Sequence, residues 1–115
     1  MIDRVLIPLS GSDVAPRFDL ATEVLIASFG ERGADDQRTI VLSHASADEL
    51  CRLVLAENVR TVVCGAIEEE YYQYLEWKKV RILDWVIGPY ERALASLREN
   101  RLQAGDVLFA PTDEK

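Results

Sequence analysis

The stretch Thr61-Val62-Val63-Cys64-Gly65-Ala66-Ile67-Glu68-Glu69-Glu70-Tyr71-Tyr72 limits the fold more than any other. Val62 and Val63 are β-branched, and Val59 and Cys64 beside them are apolar, which suits a short strand covered on both faces. Gly65 lets the backbone turn sharply where that strand ends. The residues from Glu68 onward read as a helix whose first N–H groups have no partner within the helix. A strand, a tight turn and a helix make the repeating unit of an α/β sheet. Such sheets bind ligands at the carboxyl ends of their central strands.

The rest of the chain fits around this unit. Arg4–Leu9 reads as a first strand, with Pro8 near its end because proline donates nothing to a ladder. Ser10–Asp19 is a loop, and Glu23–Phe29 a second strand. Residues 30–37 form a polar, glycine-punctuated turn before a third strand at Arg38–Leu42. Links this short suit an antiparallel meander, which is read as leaving His44 at the opposite end of the sheet from the first loop. Ser46 and Glu49 then form a capping box. Ala47, Leu50, Cys51 and Val54 recur at helical spacing, so Ala47–Glu57 is a helix. After the Val62–Cys64 strand, a second helix at Glu68–Lys78 is expected to bury Ile67, Tyr71, Tyr74 and Leu75. A fifth strand covers Val80–Leu83. Pro89 is suited to the first position of a third helix, whose face is Tyr90, Ala93, Leu94, Leu97 and Arg101. Gly105-Asp106 interrupts the chain before Val107-Leu108-Phe109.

The expected fold class is therefore α/β: a single three-layer domain with a five-stranded mixed sheet and the sequence of elements β-β-β-α-β-α-β-α. Right-handed crossovers give the strand order 3-2-1-4-5. The first and fourth strands are then parallel neighbours. The Ser10–Asp19 loop, the Gly65–Glu68 turn and the Gly88-Pro89 turn meet on one rim. The domain is expected to span residues 1–109, followed by a polar tail at 110–115.

The 115 residues suffice for one core. The net charge of −7, from 20 acidic and 13 basic residues, argues against nucleic acid as a partner, because phosphates need a basic surface. No apolar run is long enough to span a membrane, and the first residues lack a signal-peptide pattern, so a cytoplasmic location is expected. Cys51, Cys64 and His44 are too few for a closed zinc site or a four-cysteine iron–sulfur site within one chain. Both cysteines lie in apolar patterns and read as small core residues. Neither the first nor the fourth strand carries an interior acid, which leaves no strand-borne carboxylates for two-metal hydrolysis. No catalytic residue and no metal ligand set is assigned, and the chain is expected not to be an enzyme.

Several segments occur in a familiar order: Ile7-Pro8-Leu9, Val14-Ala15-Pro16-Arg17-Phe18-Asp19-Leu20-Ala21, Val63-Cys64-Gly65-Ala66-Ile67, Val86-Ile87-Gly88 and Ala93-Leu94. Together they resemble the dinitrogenase iron–molybdenum cofactor-binding domain family, from about Ile7 to Ala104. The resemblance implies a ribonuclease-H-like fold. It also implies a carrier that takes an iron–sulfur or iron–molybdenum cofactor precursor and works with another protein of that metallocofactor pathway. The implied cofactor-binding residues are Ser10, Gly11, Arg17, Phe18, Asp19, Gly65, Ala66, Ile67 and Gly88. Two departures stand out. Family members often carry histidine-phenylalanine-glycine where this chain has Arg17-Phe18-Asp19, and arginine cannot ligate a metal. The family's glycine-glycine-isoleucine turn is Gly65-Ala66-Ile67, followed by three glutamates that oppose an anionic ligand.

The candidate residues keep their alternatives. Arg17 either holds an anionic group through its planar fork or pairs with Asp13, Asp19 or Glu68, the more ordinary role. Phe18 is a loop anchor in the core or a stacking ring. Asp19 caps a turn or serves as an acid. Glu68, Glu69 and Glu70 stabilise a helix start or hold a hard cation. Tyr71, Tyr72, Tyr74, Trp77 and Trp85 exceed what one helix face buries. They either cover the sheet edge or form a contact for a partner or a homodimer. The alternative to a carrier is thus an interaction or homodimeric module without a cofactor. A metal-dependent hydrolase built on the acidic cluster is a third reading.

Overall fold

The first strand, β1 at Asp3–Ser10, lies mid-sheet because both of its faces are apolar. Leu6 enters one core, and Val5, Ile7 and Leu9 enter the other. This is the period-two alternation of a strand covered twice. The computed structural model describes residues 3–29 and 36–108. Within them lie β2 at Asp13–Val14, a 3-10 turn at Phe18–Leu20, β3 at Glu23–Phe29, β4 at Asp36–Val41, α1 at Ala47–Ala56, β5 at Thr61–Val63, α2 at Glu69–Trp77, β6 at Arg81–Leu83 and α3 at Tyr90–Arg98. They form an α/β domain with a mixed sheet of six strands. The order is β4-β3-β1-β5-β6, with β2 paired to β1. β1 runs antiparallel to β3 (Leu6 opposite Ile26) and parallel to β5 (Leu6 opposite Val62).

Helices α1 and α2 cover one face. Leu50, Val54 and Leu75 pack there on Leu6, Val24, Ile26, Val62 and Ile82. Helix α3 covers the other, where Ala93, Leu94 and Leu97 meet Ile7, Leu25, Val63 and Leu83. No polar or charged side chain among the described residues is buried. Burying each of these valine, leucine and isoleucine side chains contributes about 1.5–3 kcal/mol.

Several expectations from the sequence need correcting. The sheet has six strands rather than five, because the first loop folds back as β2. The third meander strand begins at Asp36, not Arg38: Asp36 and Gln37 pair with Ser28 and Ala27. Their polarity marks an exposed edge strand rather than a turn. Glu68 and Pro89 are N-caps with extended backbone, so α2 and α3 begin one residue later than expected. The Ser46 hydroxyl accepts from the Glu49 N–H at 3.1 Å, but the Glu49 carboxylate lies 3.7 Å from Arg52. Helix α2 buries only Leu75, whereas Tyr71 is half-buried and Tyr74 exposed. This helix packs over β6, the outermost strand on that side, so one flank stays in water. His44 lies at the same end of the sheet as the first loop. Two antiparallel reversals bring the chain back, with Leu9 opposite Glu23 and Glu23 opposite Val41. Residues 30–35 of the expected turn, Phe109 and the expected tail lie outside the described residues.

Candidate functional site

Three loops converge at the carboxyl ends of β1, β5 and β6, and backbone hydrogen bonds join them. At the end of β1, Gly11 takes φ +63°, a value that glycine adopts without steric cost. The chain reverses there, so that Val14 lies opposite Leu9. The Ala15 N–H donates to the Pro8 carbonyl at 2.8 Å, so Pro8 serves as an acceptor where it cannot donate. The chain then crosses Gly65. A Cβ on that residue would lie 2.6 Å from the Ala15 carbonyl oxygen and closer still to that of Pro16. Contact this close to backbone atoms requires a residue with no side chain. The crossing is fixed on both sides: the Ala66 N–H donates to Pro16 O at 2.7 Å, and the Phe18 N–H to Ala66 O at 2.8 Å.

The third loop joins by the same means. The Trp85 N–H donates to Gly65 O at 2.9 Å, and the Val86 N–H to Cys64 O at 3.0 Å. The Val14 N–H reaches Gly88 O at 2.9 Å, and the Tyr90 N–H reaches Ser12 O at 2.9 Å. Gly88 has φ +131°, and a Cβ on it would strike the Leu108 carbonyl.

A cavity of about 380 Å³ opens where the three loops meet. Ser10, Gly65, Ala66 and Gly88, all expected from the sequence, line it. Val14, Pro16, Trp85, Val86 and Ile87 complete a largely apolar wall, with Asp13 at one side. The N–H groups of Gly65 and Gly88 donate to no described residue. A second cavity of about 480 Å³ lies on the other side of Pro16, lined by Ser10, Gly11 and Arg17 together with Leu20, Glu23 and Val41. Phe18, Asp19 and Ile67 line neither. Phe18 is buried in the core, with its ring centroid 6.4 Å from that of Tyr71. Ile67 packs against the same core. Asp19 accepts two hydrogen bonds from Arg17, at 2.8 and 3.2 Å. Sequence reasoning missed Pro16, Trp85 and Ile87 as part of the wall. Nothing in local sequence marks Pro16 as the strap over Gly65, and Trp85 takes φ +60°, a left-handed turn that tryptophan does not signal.

The chemistry of the rim follows from these side chains. Cys64 is fully buried, and burial, with a smaller contribution from the charge of Asp84, pushes its thiol up to about 12. Burial and Asp48 likewise push Cys51 up to about 11. Both are neutral thiols at physiological pH, and the thiolate is the metal-binding form. Among the described residues no group of three or more histidine, cysteine or acidic side chains is arranged to hold a metal ion. His44 Nδ1 sits 3.1 Å from Ser43 Oγ on the surface and lines neither cavity. The donor set therefore does not fit a cluster ligated by the protein itself. The 380 Å³ cavity can hold a ligand by shape and by the two glycine N–H groups, and Arg17 stands in the adjoining cavity beyond Pro16. No helix among the described residues is long and apolar enough to cross a membrane.

Comparison with known proteins places this architecture. The chain is similar to MJ0327 of Methanocaldococcus jannaschii, described as a "putative dinitrogenase". Their structures agree with a TM-score of 0.72 at 21% identity, over 90% of this chain and 94% of that one. It is also similar to TM1290 of Thermotoga, described as a "putative NifB protein" of the DUF35 family, with a TM-score of 0.63 at 18% identity over 95% and 98% of the two chains. The protein PH0822 matches with a TM-score of 0.76 at 12% identity, over 88% of this chain and 94% of that one. At these identities the likeness is one of fold. No protein-family profile matches the sequence, and no curated protein matches it.

Proposed function

We propose that this chain is a small non-enzymatic, cytoplasmic domain of the dinitrogenase iron–molybdenum cofactor-binding type, with a ribonuclease-H-like fold. It holds a preassembled iron–sulfur or iron–molybdenum cofactor precursor at the rim as cargo. The observation that carries this reading is the 380 Å³ cavity at the junction of β1, β5 and β6, with Gly65 and Gly88 in its wall and no described acceptor for the N–H group of either. Backbone donors in a concave wall are a recurrent way to bind an anion. The fold shared with a protein described as a "putative dinitrogenase" and one described as a "putative NifB protein" points the same way. The cargo brings its own metal ligands, so the absence of soft donors on the rim is compatible with the role. Arg17 lines the adjoining cavity beyond Pro16; it is half exposed and, among the described residues, ion-paired only with its near neighbour Asp19. Surface pairs of this kind contribute about 0–1 kcal/mol, so the guanidinium is available to an anionic cargo at little cost. A second protein of the same pathway would supply or receive the cargo. The interaction module without a cofactor gains no support from the proteins that share the fold.

The test is anaerobic gel filtration of the protein with an iron–sulfur cofactor precursor, following iron and visible absorbance, with Arg17→Ala in parallel. Comigrating iron and a charge-transfer band are expected, with affinity weakened roughly ten- to hundredfold in the variant. Iron that elutes entirely apart from the wild-type protein at saturating precursor rejects the reading.

A further inference from the structure

Four non-glycine residues among those described have a positive φ. Asn58, Lys79 and Asn100 each directly follow a helix C-cap, where a left-handed residue closes the helix. Trp85 does not follow a helix. It lies just after β6 with φ +60°, a conformation that costs a bulky side chain roughly 1–2 kcal/mol. Its N–H is tied to Gly65 O, and the next N–H is tied to Cys64 O, so the strain is held in place. The ring is not gained for the core, since Trp85 is 59% exposed.

Ile87, which is 57% exposed, and Val107, 48% exposed, pair as a parallel bridge beside it. The Ile87 N–H donates to Asp106 O and the Leu108 N–H to Ile87 O. The result is an exposed apolar ridge tied by backbone bonds at the mouth of the rim cavity. Strained backbone that displays an apolar side chain to water is a mark of a contact site.

Acids flank the ridge. Asp84 and Asp106 adjoin it in sequence and Asp13 shares the cavity wall. None of the three forms an ion pair with a described residue. We propose that the Trp85–Ile87–Val107 ridge is a docking surface for a segment of another protein that carries an apolar anchor between cationic side chains. Charge selects this occupant. A second copy of the chain would bring the same acids against these and a net charge of −7 against −7, and like charges brought face to face suppress pairing. The ridge shares Trp85 and Ile87 with the wall of the cavity, and its test is kept apart from the proposed cargo by using no metal.

The test uses two short fluorescein-labelled peptides with the same leucine-phenylalanine-leucine centre, one flanked by lysines and one by glutamates. Binding is read by anisotropy, and in the Trp77→Phe protein by the emission of the remaining tryptophan, Trp85. The lysine peptide is expected to bind at least about tenfold tighter than the glutamate peptide and to shift Trp85 emission to the blue. Asp84→Asn with Asp106→Asn should narrow that gap. Ile87→Ser, at an exposed position, should lower affinity about tenfold without changing the melting temperature. Trp85→Gly should raise the melting temperature, because glycine accepts this φ, and still lose binding; a purely structural role moves stability alone. Equal binding of the two peptides, binding of neither, wild-type affinity in Ile87→Ser, or elution as a dimer with Trp85 shielded would each overturn the proposal. None of these readouts involves a metal, so they stand apart from the cofactor experiment.

Discussion

At Gly65 the missing side chain is what lets the first loop lie across the end of β5. The sequence marks this residue as a turn glycine, and the expected reason was backbone freedom. The structure supplies a different one: Gly65 is not among the positive-φ residues, and the constraint is the approach of the Ala15 and Pro16 carbonyls. Backbone atoms cannot rotate aside as a side-chain tip can. Gly65→Ala should therefore cost about 3 kcal/mol, read as a lower urea midpoint at unchanged m-value. Stability within a few tenths of a kcal/mol of wild type would show that the crossing yields. Residue-scale legibility was uneven for the same physical reason. Ser10, Gly65, Ala66 and Gly88 line one cavity because chain order brings their turns to one rim. The family resemblance implies Phe18 and Ile67 as site residues, but their apolar side chains turn into the core, as the burial expected of Ile67 and the anchoring role open to Phe18 allow. Trp85 reads from sequence as a sheet-edge cover or a contact residue, but its left-handed backbone is not legible because that conformation opposes its own propensity.

Helix ends show how local rules and tertiary packing agree. All three helices close with the same pair of bonds. The Val59 N–H reaches Val54 O and Asn58 N–H reaches Leu55 O. Val80 reaches Leu75 O and Lys79 reaches Glu76 O. Arg101 reaches Ser96 O and Asn100 reaches Leu97 O. This is the Schellman motif, and in the first two cases the valine that ends it packs into the same core as its partner. Asparagine tolerates the left-handed position well, but lysine does not. Lys79→Gly should stabilise the protein by about 1 kcal/mol, seen as a higher melting temperature. A lower one would mean that the Lys79 side chain contributes more than its backbone strain costs. The five longer strands all fall on stretches that composition and alternation mark. β2 escaped because two residues carry no periodicity, and the start of β4 because polar residues on an exposed edge look like a turn. Tyr74 was placed in the core because helical spacing gives a face, not the width of the sheet beneath it.

At the scale of the molecule, the alternation along β1 divides the apolar residues between two cores. The parallel pairing of β1 with β5 and of β5 with β6 then brings three carboxyl ends together. Sequence reasoning reached the rim because hydrophobic patterning determines which strands are central. It did not reach the cavity's shape, which depends on loops that fold against one another through backbone bonds and leave little trace in residue type. His44 was misplaced because direction must be counted through every reversal.

Ligand is expected at this rim and not in the groove of about 440 Å³ between α1 and α2. The measurement that bears on it most directly is an anaerobic amide-resonance titration with the iron–sulfur cofactor precursor. Shifts and broadening should centre on Ser10, Gly65, Ala66 and Gly88 and fade with distance from them. Changes centred instead on Cys51 and Tyr74 in the α1–α2 groove, or spread evenly over the chain, would contradict the assignment of the site.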